Sequence, residues 1–192
     1  MILLELYNLE ESSGYSLQGS FTHDLTKSKV WLMSELAKVQ QDFSTVYVLG
    51  SWFGNLALYM TLDPMIRAKK IINVDVNPEW MAQSQRMLDH VGADNVEHML
   101  RDANRLDYRQ LGSNGAVINT GLTDIDGRAW FDRIPSGTVV VMQARDQNSG
   151  NQFSSADDIL EKFPLSQVSY SGSLQLQDPE TPYRRFMVIG TK

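Results

Sequence analysis

The sequence predicts an α/β protein built on an open, mostly parallel sheet with helices on both faces, and three observations carry that expectation. Beyond about the first two dozen residues, short β-branched apolar runs alternate with helix-patterned stretches. The first such run, Val46 to Gly54 (V-Y-V-L-G-S-W-F-G), breaks at a glycine and reopens as a helix. The last two runs are joined by Q-D-P-E-T-P-Y, too short for a crossover helix but ample for a loop between antiparallel neighbours.

A helix over residues 26–40 opens the pattern, with Leu32, Leu36 and Val39 on one stripe. Seven strands are predicted at residues 45–49, 71–75, 96–100, 116–119, 138–143, 166–176 and 184–190. After the second strand, Asn77 caps a helix whose first position is Pro78; Trp80, Ser84, Met87, Leu88 and Val91 share its inner face, and Gly92 ends it. Thr123 with Asp126 predicts a short capped helix ahead of Trp130. Ser155 with Asp158 predicts another, stopped by Pro164. The stretch from Arg145 to Ser154 is the longest unpatterned loop after a strand, the kind of place where such sheets handle ligands.

The 192 residues suit one domain, residues 1–192, whose first 25 form an extension; Tyr15 and Phe21 there are either parts of a lid or packing against the sheet edge. With 17 basic and 23 acidic residues the net charge is −6, which argues against an extended surface for duplex nucleic acid. Lys27, Lys29, Arg184 and Arg185 are too scattered for a nucleic-acid path and read as solvated. The absence of cysteine excludes disulfides, thiolate metal sites and cysteine nucleophiles, and His90 and His98 lack the spacing of a metal site. The start has no basic lead and no uncharged run reaches membrane length, so the expected location is the cytoplasm, with no membrane partner.

The glycine loop discriminates between ligands. A dinucleotide site wants G-x-G-x-x-G, but Trp52 and Asn55 stand at the second and third glycine places, and the lysine-serine pair of a phosphate-binding loop is missing. A nucleoside without phosphates remains. Asp75, 25 residues past Gly50, ends the second strand where a carboxylate can accept from both ribose hydroxyls, and with Asn77 as the cap it is free to do so. Asp102 ends the third strand, where it can accept from an adenine amino group.

Taken in series, the glycine-loop strand, V-D-V-N-P-E-W, N-V-E-H-M-L-R-D-A, A-V-I-N-T, I-P-S-G-T-V-V-V-M-Q and the closing Y-R-R-F-M-V-I-G resemble a class I S-adenosylmethionine-dependent methyltransferase over residues 26–192. Within that family the compact chain is similar to small methyltransferase-like proteins of bacteriophages. The resemblance implies a Rossmann-like three-layer α/β/α sandwich with strand order 3-2-1-4-5-7-6 and an antiparallel seventh strand. It also implies S-adenosyl-L-methionine as cofactor. Gly50, Ser51, Trp52 and Gly54 would border its methionine part, Asp75 would hold the ribose, Val76 and Asn77 would flank ribose and base, and Asp102 with Ala103 would face adenine. Two positions depart from the family: Val48 replaces the usual acidic residue and Trp52 the middle glycine. Trp52 either stacks on the ligand, since aromatic faces attract a sulfonium, or packs.

Methyl transfer from a sulfonium is a direct displacement that mainly needs alignment, plus a base where the nucleophile carries a proton. After the fourth strand the chain reads Asn119-Thr120-Gly121-Leu122, without the prolines and aromatic of exocyclic-amino DNA methyltransferases. Asn119 either contributes to the reacting centre and the cofactor's amino group or satisfies its own turn. His23 is either a base or an exposed residue beside Asp24 acting as helix cap. The acceptor is unidentified: a small molecule, a peptide or an unpaired nucleotide. Alternatives are transfer of the cofactor's aminocarboxypropyl group, and a non-catalytic scaffold that keeps the fold.

Overall fold

A computed structural model describes residues 18–63, 65–146, 153–178 and 181–192. In order these form α1 (His23–Val39), β1 (Asp42–Leu49), α2 (Asn55–Leu62), β2 (Arg67–Asp75), α3 (Pro78–His90), β3 (Val96–Leu100), β4 (Ala116–Asn119), α4 (Ala129–Asp132), β5 (Val139–Arg145), α5 (Ala156–Lys162), β6 (Gln167–Asp178) and β7 (Thr181–Thr191). Short 3-10 turns lie at Gln18–Ser20 and Ala103–Arg105.

The seven strands make one sheet in the order β3-β2-β1-β4-β5-β7-β6. Its first five strands are parallel, and β7 runs antiparallel between β5 and β6. This is the Rossmann-like sandwich expected from the sequence. Registers Leu49↔Val74, Leu49↔Asn119, Asp75↔Leu100 and Asn119↔Met142 align the carboxyl ends of the parallel strands, so the loops that follow them share one edge.

Residues alternate across the sheet with period two and build two cores. Val46 and Val48 meet Leu32 and Leu36 of α1, Leu56 of α2, and Met87 and Leu88 of α3. Tyr47 and Leu49 face the other way, toward Trp130, Phe131 and Phe163. On that side the Tyr108 hydroxyl donates to the Trp130 carbonyl at 2.9 Å, and the Tyr47 and Tyr108 rings meet edge to face at 5.2 Å.

Several boundaries differ from expectation. α1 begins at His23, three residues early, behind Thr22. Asp24 is no cap: it lies within the first turn and is buried, because its Oδ2 accepts from the Tyr183 hydroxyl at 2.6 Å. β2 begins at Arg67 rather than residue 71, its outer half carried by the Arg67–Asp42 pair (2.6 Å) and the Lys70–Glu97 pair (2.6 Å). No helix opens at Thr123. Residues there turn back through Asp124 N–H to the Gly121 carbonyl, and Asn104 clamps the next stretch by donating to the Asp126 carbonyl (2.7 Å) and accepting from Trp130 N–H (3.2 Å), so the helix starts only at Ala129. On α3 the inner face is Met81, Ser84, Met87 and Leu88, while Trp80 is 38 % exposed.

The capping expectations at Asn77 and Ser155 match the hydrogen bonds. Asn77 Oδ1 accepts from Glu79 and Trp80 N–H, and Ser155 Oγ accepts from Asp158 N–H at 3.1 Å. The β6–β7 pairing runs out to Asp178↔Thr181, beyond the expected strand limits at residues 176 and 184. Pro182 is tolerated because β5 pairs with β7 only from Arg185 onward, leaving no β5 acceptor for a missing N–H. Phe21 packs against the core and meets Tyr59 edge to face at 6.3 Å. Tyr15 and most of the expected extension, residues 1–17, and residues 147–152 of the Arg145–Ser154 loop lie outside the described residues. Among the described residues no helix is long and apolar enough to cross a membrane.

Candidate functional site

The loop from β1 into α2 is forced into an unusual path by its own backbone. Gly50, Trp52 and Gly54 all take left-handed conformations, with φ of 60°, 52° and 76°. That path lets Ser51 N–H donate to the Val74 carbonyl and Gly54 N–H to the Ser51 carbonyl, folding the loop over the end of β2. The two glycines do different work. A Cβ on Gly50 would meet Ile125 only at 3.5 Å, so glycine serves the conformation there. A Cβ on Gly54 would collide with Ser84 Oγ and come within 2.9 Å of Asn73 Nδ2, so Gly54 lets the start of α2 approach β2 and α3.

Trp52 is a bulky residue in a conformation that costs about 1–2 kcal/mol without glycine. Its ring lies 4.8 Å from Phe53 and 6.3 Å from Trp80, and its N–H donates to Asp75 Oδ2 at 2.9 Å. Asp75 Oδ1 accepts from Asn77 N–H at 3.0 Å. Asp75 is therefore not free, as the sequence had suggested, but braces the glycine loop to the turn after β2. Each oxygen accepts one of these bonds and retains a second lone pair.

Above these loops a cleft of about 850 Å³ crosses the carboxyl edge of the sheet. Gly50, Ser51, Trp52, Asp75, Val76, Asp102 and Ala103 all line it, as does Val48 beneath. Asp102, two residues past β3, accepts at Oδ1 from Asn104 N–H at 2.9 Å and caps the turn that follows. Gly54 and Asn77 do not line the cleft; one is spent on packing and the other on the α3 cap. Asn119 is fully buried below it, with Oδ1 accepting from Gly121 N–H at 3.0 Å, and the adjoining Thr120 and Gly121 reach the cleft instead. His23 is exposed at the start of α1, away from the lining. Among the described residues no cluster of three His, Cys, Asp or Glu could hold a metal.

The sequence reading missed further residues that line the cleft. Asn55, Trp80 and Asp124 line it, together with two cations taken for solvated groups. Lys29 projects from the inner stripe of α1, and Arg185 is 8 % exposed. Both were legible by position: Lys29 falls between Leu25 and Leu32 on the core-facing side of its helix, and Arg185 shares the inward parity of Met187 and Ile189 on β7. Burial and the nearby Arg185 charge push the Lys29 ammonium well below its ordinary value.

No family model matches the sequence, and no curated protein resembles it significantly. Solved structures do resemble its fold. An rRNA methylase from Streptococcus thermophilus matches at 22 % identity over 90 % of this chain and 99 % of its own, with a TM-score of 0.59. The N-methyltransferase NodS from Bradyrhizobium japonicum, in complex with S-adenosyl-L-homocysteine, matches at 11 % identity over 96 % and 97 %, with a TM-score of 0.66. A SAM-dependent methyltransferase from Aquifex aeolicus matches at 12 % identity over 83 % and 88 %, with a TM-score of 0.61. The chain thus has the fold of these enzymes.

Proposed function

We propose that this fold is put to its usual use: the protein binds S-adenosyl-L-methionine in the cleft and catalyses transfer of its methyl group to an acceptor. The observation that carries the reading is the Asp75 carboxylate, held by two backbone amides at the edge of the cleft with one lone pair spare on each oxygen. Two vicinal ribose hydroxyls match that acceptor pair, and the cleft volume suits a nucleoside with an amino-acid tail. The residues present therefore fit the cofactor. Asp102 and the Ala103 amide would take the adenine edge, the half-exposed Trp80 and Val76 would cover the ring faces, and the backbone at Gly50 and Ser51 would border the methionine part.

When bound, the cofactor supplies an electrophilic methyl on a sulfonium. The chain's own contribution is alignment and exclusion of water. Trp52 offers an aromatic face to a positive sulfur, and Thr120, Gly121 and Asp124 border the side from which an acceptor enters. No acidic residue replaces Val48, so the cofactor's ammonium would rest on backbone carbonyls of the loop. Asn119, by holding the Gly121 amide, acts as a positioning residue rather than as a contact.

Calorimetric titration with S-adenosyl-L-methionine and S-adenosyl-L-homocysteine tests the reading. Saturable binding is expected, weakened by roughly 1–3 kcal/mol in Asp75→Ala. Absence of heat from either ligand at millimolar concentration would refute it. Recovery of S-adenosyl-L-homocysteine from turnover identifies methyl transfer, whereas methylthioadenosine would reveal aminocarboxypropyl transfer instead.

A further inference from the structure

The corner where α1 meets β5 and β7 holds two cations, Lys29 and Arg185, for which the described residues provide no direct partner. Arg185 is buried, its Nε has no hydrogen-bond partner, and among the described residues neither its guanidinium nor the Lys29 ammonium makes a hydrogen bond or ion pair. Both line the cleft and lie close enough for their charges to act on each other. Asp24 is near Arg185 but is occupied by the Tyr183 hydroxyl at 2.6 Å, and Asp124 acts on Arg185 only through space. The Arg145 guanidinium, 3.8 Å above the Tyr183 ring, adds a third cation to the same corner. A buried guanidinium beside a half-buried ammonium, neither with a direct counterion among the described residues, is costly, and a bound oxyanion is what would offset it.

We propose that Lys29 and Arg185 form an oxyanion subsite, for a carboxylate or phosphate carried by the methyl acceptor; this rests on the cofactor reading of the cleft. Position favours the acceptor as the source of the anion over the cofactor's own carboxylate. Asp102 and Asp75 follow β3 and β2, on one side of β1, while Arg185 lies on β7, three strands to the other side. At roughly 4.8 Å per strand its backbone is about 14 Å from β1, beyond the glycine loop that would border the methionine. Charge agrees with position. The cofactor brings a sulfonium and a zwitterionic tail, net positive, so its single carboxylate leaves the corner with an excess of cations that an acidic acceptor removes.

The full chain should be titrated with inorganic phosphate and, separately, with acetate, following the Arg Nε–H and Lys Nζ resonances with and without saturating S-adenosyl-L-homocysteine. Saturable shifts confined to Lys29 and Arg185, undiminished by S-adenosyl-L-homocysteine, are expected. Lys29→Gln and Arg185→Gln should each weaken phosphate binding about tenfold or more while leaving S-adenosyl-L-homocysteine affinity within about twofold. Lys29 is only half-buried, so its variant tests the site should Arg185→Gln fail to fold. Competition between phosphate and S-adenosyl-L-homocysteine, with both variants losing nucleoside affinity, would overturn the proposal and give the anion site to the cofactor. Absence of saturable phosphate or acetate binding would overturn it as well. Phosphate binding at Lys29 and Arg185 in a protein that does not bind S-adenosyl-L-homocysteine would sink the cofactor reading, and with it the assignment of the anion to a methyl acceptor.

Discussion

The Tyr183 hydroxyl donates to Asp24 Oδ2 at 2.6 Å, joining the first helix to the last strand across 159 residues of chain. Burial alone would raise the Asp24 carboxyl, but the hydrogen bonds from Thr22, Tyr183 and the local backbone hold it below its ordinary value. Burial and the same bond push the Tyr183 phenol up to about 12. Tyr183→Phe is expected to destabilise the protein by about 1.5–3 kcal/mol, since it removes a donor from a buried charged group. The pH signs follow. The depressed Asp24 contributes stability that is complete above its unfolded value of 3.8 and lost as pH falls through the folded one. The raised Tyr183 contributes stability that is complete below 10.0 and lost as pH rises through about 12. Denaturant melts across pH should show the gap between parent and variant narrowing as pH falls below 3.8 and again as it rises above 10.0; a gap constant across pH would show that the bond carries no such linkage.

Gly50 and Gly54 share a backbone sign but not an environment, and their alanine variants should separate. Gly50→Ala meets only an ordinary contact at Ile125 and should cost about 1–2 kcal/mol, the left-handed penalty alone. Gly54→Ala adds a collision with Ser84 and Asn73 inside the core, raising the expected loss to about 2–4 kcal/mol. Chemical denaturation measures both. Equal losses would mean that α3 yields to the extra methyl.

Trp52 carries strain that its aromatic contacts offset. Trp52→Ala keeps the left-handed penalty and loses the contacts with Phe53 and Trp80, whereas Trp52→Gly loses the contacts and the penalty together. The glycine variant should be the more stable of the two by about 0.5–1 kcal/mol, the left-handed gain reduced by glycine's greater freedom when unfolded. The reverse order would show that Trp52 sits there without strain.

The sheet was legible because each strand carries its own signal: 116–118 is an apolar run that ends on Asn119, and 71–75 ends on a carboxylate just before a capped proline. Helix starts were less so where a side chain serves a distant partner. Asp24 looks like a cap from its neighbours, and only the return of β7 beside α1 reveals that its partner is Tyr183. Thr123 and Asp126 spell a capping box that Asn104, some 20 residues earlier, overrides. The site divides along the same line. Gly50, Asp75 and Asp102 sit at or just past the carboxyl ends of their strands, so local order places them on the cleft. Lys29 and Arg185 come from opposite ends of the chain, and only the antiparallel insertion of β7 between β5 and β6 brings the second of them to the first.

The brace between Asp75 and the Trp52 amide has a thermodynamic corollary. A ligand that bonds the Asp75 carboxylate does not act on one residue: it fixes an anchor of the glycine loop, so occupancy and loop order are two faces of one equilibrium. Reciprocity then follows, since any change that stiffens the loop must tighten the ligand by the same free energy with which the ligand stiffens the loop. Residues behind the loop that never touch a ligand, Ser84 and Asn73 under Gly54 among them, are thereby coupled to its affinity.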